Sequence, residues 1–264
     1  MNHMRSQFSR DGYYLAKNLL DVDDIGAVRR DMEQVFRLYL HTPKSEPVTH
    51  ETIIDLFRND TAGFKACAQQ CQCLASVFRL AYSKGLTKFL NEVAGIELPT
   101  MNTKPLVSFS SKGTAQKTPY WYVGAHQDWP STQGSLNGVT VWTPLVEVTG
   151  SLGPLELIPE SHLQGFREHK ENEGVPLLVD KSEGWISVPM NPGDVLVFSY
   201  FTVHRSGLNG SDKIRWSMHF RYDDASDPTF IDRKYPKTHI WQRLDRVIEP
   251  GFPSAEQVQN RFKL

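Results

Sequence analysis

From about residue 105 onward, short runs of β-branched and aromatic residues alternate with glycine, proline and asparagine turns. Such side chains favour extended backbone, and turn signals such as Asn191-Pro192-Gly193 and Asn209-Gly210 interrupt it. Several short strands at this spacing are typical of an all-β sandwich or barrel. The expected strands span residues 106–110, 121–128, 138–148, 153–159, 184–189, 194–200 and 214–223.

The first hundred residues carry a helical pattern instead. We expect Asp21 to cap a helix together with Asp24, because carboxylates at these positions accept backbone N–H groups. A second amphipathic run covers residues 74–93, whereas residues 41–52 are polar with two prolines and predict a loop. The apolar face of the first helix comprises Ile25, Val28, Met32, Val35, Phe36 and Tyr39.

The 264 residues contain no internal repeat and no linker, so we expect a single domain over 1–264. Its parts are a helical region of about 1–100, a β core of about 105–225 and a C-terminal extension, 226–264. The extension either wraps the core or forms an oligomer contact, and the sequence does not predict the oligomeric state. The polar segment 161–183 is expected to cross the surface and serve as a lid.

The charge balance disfavours several classes of partner. Basic and acidic residues number 29 and 30, so no basic excess is available for nucleic acid. The N-terminus has no apolar leader and no run is long enough to span a membrane, which favours a soluble, cytoplasmic protein. Cys67, Cys71 and Cys73 are an odd set outside paired CxxC blocks, and we expect free, reduced thiols rather than disulfides or zinc.

One stretch offers metal ligands. On a strand, His126 and Asp128 point to the same face, and His204 after the next apolar strand is the best third ligand. Two histidines and one carboxylate leave three coordination positions open, as in non-haem Fe(II) oxygenases, where a 2-oxo acid and O2 bind. Arg215, eleven positions after His204, offers a planar fork for the carboxylate of such an acid. Without these companions, His126 and Asp128 would be read as a solvated face and Arg215 as a surface ion pair.

The chain resembles the phytanoyl-CoA dioxygenase-like branch of the Fe(II)/2-oxoglutarate dioxygenases over about residues 8–225. The resemblance rests on HQD at 126–128, Trp142-Thr143, GPLELIPESH at 153–162, NPGDVLVFS at 191–199 and HRSGLN at 204–209, followed by Arg215. These segments occur in the family's order and spacing. Together they are specific, although no single one is.

The resemblance implies a mainly β fold, a double-stranded β-helix or jelly roll of the cupin-like kind, with supporting N-terminal helices. It implies Fe(II) as the metal, 2-oxoglutarate as cosubstrate and oxidation of a small molecule, most simply hydroxylation. Halogenating relatives replace the carboxylate ligand with a small residue, so Asp128 favours hydroxylation. The implied iron ligands are His126, Asp128 and His204; the implied cosubstrate contacts are Arg215, Ser206, Gln127 and Trp142.

The substrate side is less defined. We name Trp129, Gln133 and Arg221 as candidates, because they flank the metal-binding stretch or share the face of Arg215. Lys117 and the aromatic cluster Tyr120, Trp121 and Tyr122 are further candidates, with barrel core as the alternative for the aromatics and a surface ion pair for Arg221. The sequence texture is similar to enzymes that act on carbohydrates or secondary metabolites.

Two other classes of function are compatible with a β core of this kind. A cupin-type, metal-dependent isomerase or hydrolase would need no arginine for a dicarboxylate, so Arg215 and Ser206 disfavour it. A non-catalytic barrel that binds a small molecule would not need three metal-binding side chains around an open coordination face. The oxygenase is therefore the leading hypothesis.

Overall fold

The structure is a computed structural model that describes residues 3–101, 103–114, 122–167, 184–236 and 251–263. In this part of the chain, no helix has the length and apolar character needed to cross a membrane. The candidates Lys117, Tyr120 and Trp121 and most of the predicted lid lie outside the described residues.

Helices dominate the first hundred residues, as predicted. Asp21 caps the helix Val22–Tyr39 (α2) by accepting a bond from the Asp23 backbone N–H at 2.8 Å, so Asp24 is not part of a capping box. The predicted run 74–93 is two helices: the first ends at Ala81, and Ser83 caps the second by accepting a bond from the Leu86 N–H. The helices of the described chain are α1 His3–Asp11, α2 Val22–Tyr39, α3 His50–Asn59, α4 Thr61–Cys71, α5 Ala75–Ala81, α6 Lys84–Ala94, α7 Trp129–Thr132, α8 Pro228–Asp232 and α9 Ala255–Phe262.

Two antiparallel sheets follow the helices. The larger has the order β1-β7-β4-β9-β2, with β3 paired to β9, and the smaller has the order β6-β5-β8. Within the described chain the larger sheet is not closed into a barrel. The strands are β1 Tyr13–Ala16, β2 Pro99–Met101, β3 Leu106–Ser110, β4 Val139–Pro144, β5 Leu155–Leu157, β6 Ile186–Val188, β7 Val195–Ser199, β8 His204–Arg205 and β9 Arg215–Asp224.

The long strand β9 divides the molecule into a core side and a cavity side. Residues at alternate positions point to opposite faces of a strand. One face of β9 packs into the largest hydrophobic cluster, which also contains residues of α2 to α6. The other face carries polar side chains towards a cavity. The core-side residues are Trp216, Met218, Phe220 and Tyr222, and the opposite face holds Arg215, Ser217, His219 and Arg221.

The described part of the C-terminal extension contributes to the core. Val258 of α9 is buried in a cluster with Trp129 and Tyr200. Phe262 packs on Phe8 of α1, with ring centroids 6.0 Å apart. The helix α9 therefore packs against both α1 and the cluster that contains Trp129.

Candidate metal site and anion pocket

The stretch that carries His126 and Asp128 is not the strand that its sequence predicts. His126 forms an isolated bridge with His204, in which each backbone N–H donates to the other's carbonyl at 2.9 and 3.0 Å. The chain then turns, and Asp128 becomes the residue before α7. The bridge and the start of this short helix, rather than one regular strand, bring the two side chains together.

The three predicted ligands converge. Asp128 Oδ1 lies 3.8 Å from His126 Nε2, and Asp128 Oδ2 lies 3.7 Å from His204 Nε2. One ligand atom from each residue falls within 4.8 Å of the others. An ion bonded at about 2.1 Å requires ligand atoms about 3–4 Å apart, so a small contraction closes this site around a metal.

Both histidines are in the form that binds a metal. His126 Nδ1 lies 2.8 Å from the Gly124 carbonyl, and His204 Nδ1 lies 3.0 Å from the Thr202 carbonyl. A carbonyl only accepts, so Nδ1 carries the proton and Nε2 presents a lone pair. Burial lowers the pKa of His126 and lowers that of His204 to about 3, so both imidazoles are neutral at physiological pH.

Asp128 is the negatively charged member of the predicted ligand set. It is only 1% exposed, and it accepts bonds from Arg221 Nη2 and Thr140 Oγ1, each at 2.5 Å. Burial opposes the ionised carboxylate, but the charge of Arg221 and the hydrogen bond from Thr140 hold the pKa of Asp128 well below the usual range. The residues present thus fit a divalent cation with two neutral nitrogen ligands and one anionic oxygen ligand.

The histidines open into a cavity of about 310 Å³ that Arg215 also lines. Arg215 is 4% exposed and donates to the carbonyls of Gly153 and Gly207. It has no acidic partner in the described chain, and its Nε has no hydrogen-bond partner there. Burial lowers the pKa of Arg215 to about 10, so it remains a cation at neutral pH. A buried cation without a counterion is an anion-binding group.

Two more of the predicted cosubstrate contacts line the same cavity. Ser206 accepts a bond from the Val123 N–H at 3.2 Å, which leaves its own proton free to be donated. Trp142 is buried and meets His219 edge to face, with ring centroids 6.3 Å apart. Burial lowers the pKa of His219 to about 3, so this cavity residue is neutral.

Gln127 has a different environment from the predicted one. Its amide nitrogen donates to the carbonyls of Gly165 and Phe201 at 2.8 and 2.7 Å, and its oxygen accepts from the Arg167 N–H at 2.9 Å. Because it lies between His126 and Asp128, it points away from the cavity. These contacts favour a structural role over contact with the cosubstrate.

The substrate candidates near the metal stretch also lie away from the cavity. Trp129 is 1% exposed and stacks on Phe201 at 4.8 Å, which makes it a core residue, the alternative that the sequence left open. Gln133 is buried at the end of α7, where its amide donates to the Pro130 carbonyl at 3.2 Å. Arg221 does line the cavity, but its guanidinium lies on Asp128. The geometry corrects the expectation that Trp129 forms a pocket wall, because α7 turns its side chain into the core.

Two residues at the site were not predicted from the sequence: Thr140, which bonds Asp128, and Gln72. Thr140 lies two positions before Trp142 on β4, so strand alternation would have placed it on the same inward face. Gln72, at the end of α4, also lines the cavity and is only 6% exposed. No local pattern marks Gln72, because its approach to the sheet depends on how the helices pack.

Two histidines that line a cavity, with the buried Asp128 carboxylate beside them, form the 2-His-1-carboxylate arrangement that can hold a metal ion. The chain belongs to the family described as Phytanoyl-CoA dioxygenase (PhyH), whose sequence profile matches residues 8–217. The predicted family is therefore confirmed.

Individual relatives are distant. A methylphosphonate hydroxylase of Gimesia maris is 28% identical over 125 residues, 46% of this chain and 48% of the relative. A 1-deoxypentalenic acid 11-beta-hydroxylase of Streptomyces exfoliatus is 31% identical over 131 residues, 44% of this chain and 46% of the relative. The chain thus spans about half the length of these two curated relatives. The peroxisomal phytanoyl-CoA dioxygenase of Rattus norvegicus is 23% identical over 246 residues, 87% of this chain and 70% of the relative.

Solved structures share the fold. The epimerase SnoN, solved in complex with Fe3+, alpha ketoglutarate and nogalamycin RO, has a TM-score of 0.61 at 20% identity, over 95% of this chain and 90% of SnoN. EctD from S. alaskensis, solved with 2-oxoglutarate and 5-hydroxyectoine, has a TM-score of 0.58 at 18% identity, over 86% of this chain and 77% of EctD. The likeness confirms the predicted jelly-roll class with N-terminal helices.

Proposed function

We propose that this protein is an Fe(II)- and 2-oxoglutarate-dependent dioxygenase that hydroxylates a small molecule with O2 and releases succinate and CO2. Membership of the PhyH family and the convergence of His126, Asp128 and His204 support this assignment. The observation that carries it is the buried, unpaired cation Arg215 in the same cavity as the two histidines. A metal site alone fits many activities, whereas a metal site beside a buried arginine that has no acidic partner in the described chain fits a 2-oxo acid.

His126, Asp128 and His204 would hold Fe(II), and Arg215 would bind the far carboxylate of 2-oxoglutarate. With the 2-oxo acid bound, iron supplies the activation of O2 that oxidises a C–H bond. Ser206 lines the cavity near Arg215 and can donate its hydroxyl proton to the same carboxylate. Trp142 and Leu155 line the cavity with apolar surface. An apolar lining strengthens the ion pair between Arg215 and the 2-oxoglutarate carboxylate, because it lowers the local dielectric constant.

Asp128 supports hydroxylation rather than halogenation, because its carboxylate occupies the position that a halide would need on the metal. The substrate is proposed to be a small molecule, such as a carbohydrate or secondary metabolite. Of the predicted substrate residues, Arg221 lines the cavity, whereas Trp129 and Gln133 do not. We also propose a single domain and a cytoplasmic location, for which the support is the sequence alone.

The test is anaerobic addition of Fe(II) and then 2-oxoglutarate to the purified protein. The proposal predicts a visible metal-to-ligand charge-transfer band that requires both additions. His126→Ala and His204→Ala should lose it, because each removes one of two neutral nitrogen ligands. An iron-loaded parent protein without the band would refute the cosubstrate assignment.

A separate experiment identifies the substrate class. Succinate formation is compared with and without sugars, nucleotides, amino acids and acyl thioesters. A compound that raises succinate formation in the parent protein, and gains an oxygen atom by mass spectrometry, identifies the substrate and the hydroxylation. Oxidation without oxygen incorporation would contradict the hydroxylase assignment while leaving the cosubstrate assignment intact.

A further inference from the structure

Thr140 on β4 and Arg221 on β9 are neighbours on adjacent strands. The register of β4 and β9 pairs Thr140 directly with Arg221. Directly paired residues project their side chains to the same side of an antiparallel sheet. The fold therefore places a hydroxyl and a guanidinium next to each other on the cavity side.

Both side chains bind the same carboxylate, one on each oxygen. Arg221 Nη2 donates to Asp128 Oδ1 and Thr140 Oγ1 donates to Asp128 Oδ2, each at 2.5 Å. The two histidine nitrogens face the same oxygens, His126 Nε2 at 3.8 Å from Oδ1 and His204 Nε2 at 3.7 Å from Oδ2. One donor on each oxygen fixes the rotation of the carboxylate about its Cβ–Cγ bond.

Arg221 forms its ion pair with Asp128 in a largely buried position. Its side chain is 14% exposed, and Asp128 is the acidic residue with which it forms an ion pair in the described chain. Its Nε has no hydrogen-bond partner there. Arg205 lines the same cavity but differs, because its guanidinium pairs with Glu156 at 2.5 Å and lies over the Trp185 ring.

We propose that Arg221 and Thr140 are positioning residues for the metal site, which act through Asp128 and not through the substrate. The inference rests on the proposed function, since it assumes that Asp128 is a metal ligand. A carboxylate held by two donors presents its remaining lone pairs in one orientation, so less freedom is lost when the ion binds. Partners of this kind typically contribute about 10- to 100-fold to metal affinity.

The experiment measures anaerobic binding of Co(II), whose visible spectrum reports the geometry of its ligands. Thr140→Val keeps the shape of the side chain but removes the donor, and we expect Co(II) affinity to fall about tenfold with an altered spectrum. Thr140→Ser restores the donor and should restore both affinity and spectrum. Arg221→Lys keeps the charge but shortens the reach and removes the planar fork, so it should also weaken binding about tenfold.

Arg205→Lys is the matched control, because it alters a cavity arginine that does not touch Asp128. It should leave Co(II) affinity and spectrum at the parent values. If Thr140→Val and Arg221→Lys also match the parent in both, the positioning role is overturned while the proposed function stands. A parent protein that does not bind Co(II) overturns both. Thermal unfolding of the metal-free variants verifies that each is folded.

Discussion

Replacing Arg215 with methionine tests the cosubstrate site, because this arginine is a buried cation that lacks a counterion. Methionine has a similar length and no charge, so the cavity keeps its shape. Breaking a buried, hydrogen-bonded charge pair costs about 3–5 kcal/mol. The dissociation constant for 2-oxoglutarate should therefore rise between about 100-fold and several thousand-fold.

The same substitution should have little effect on the metal-free fold. Burial lowers the pKa of Arg215 from 12.5 to about 10, which corresponds to a cost on the order of 3 kcal/mol for the buried charge. Bonds to the Gly153 and Gly207 carbonyls oppose this cost, at about 1.5 kcal/mol each. The two effects nearly cancel, so the free energy of unfolding should change by no more than about 1 kcal/mol.

Titration calorimetry with Mn(II)-loaded protein measures the affinity for 2-oxoglutarate, and urea unfolding of the metal-free protein measures stability. Arg205→Met is the control, since Arg205 lines the cavity but already pairs with Glu156. It should retain the affinity for 2-oxoglutarate. Unchanged affinity in Arg215→Met would refute the anchor role. A loss of several kcal/mol of stability would refute the argument that the two carbonyl bonds do no more than offset the cost of burying the cation.

Three further outcomes follow from the contacts. Gln127→Leu leaves the Gly165 and Phe201 carbonyls unpaired, so the free energy of unfolding in urea titrations should fall by about 2–4 kcal/mol. The affinity for 2-oxoglutarate should not change. Weaker cosubstrate binding with normal stability would restore the predicted role of Gln127. Trp129→Ala should lower the free energy of unfolding by about 3–5 kcal/mol, the usual cost of a cavity in the core. A variant with the stability of the parent would argue against the core position of Trp129. Asp224 accepts hydrogen bonds from the side chains of Ser226 and Asn137 and from the backbone N–H groups of residues 97 and 98. Burial raises the pKa of Asp224, but these bonds outweigh it and lower the pKa from the ordinary 3.8 to about 2. Its stabilisation is present above pH 3.8 and is lost as the pH falls through 2, so Asp224→Asn should flatten the acid limb of stability against pH; an unchanged limb contradicts this.

Much of the fold could be read from local patterns. The β-branched runs located β3, β4, β7 and β9 to within a few residues, because alternation and turn residues act over short distances. The helical spacing after Asp21 located α2. The sequence missed the break between α5 and α6, where Ser83 caps a new helix inside a run of continuous apolar spacing.

The sequence by itself also selected the chemistry. His126, Asp128, His204 and Arg215 are residue types whose ligand and charge properties belong to the side chain. Their presence in order and at a definite spacing was enough to predict a metal and an anionic cosubstrate. These properties do not depend on knowing which other residues surround them.

Only the tertiary structure decided what the neighbouring side chains do. Gln127 and Trp129 are adjacent in sequence to the predicted metal ligands, yet the turn into α7 directs Gln127 to the Gly165 and Phe201 carbonyls and Trp129 into the core. Arg221 was expected near a substrate, but the register of β4 and β9 places it beside Thr140 on the Asp128 carboxylate. The physical reason is that contacts between residues far apart in the chain depend on strand register and helix packing, which local residue patterns do not encode.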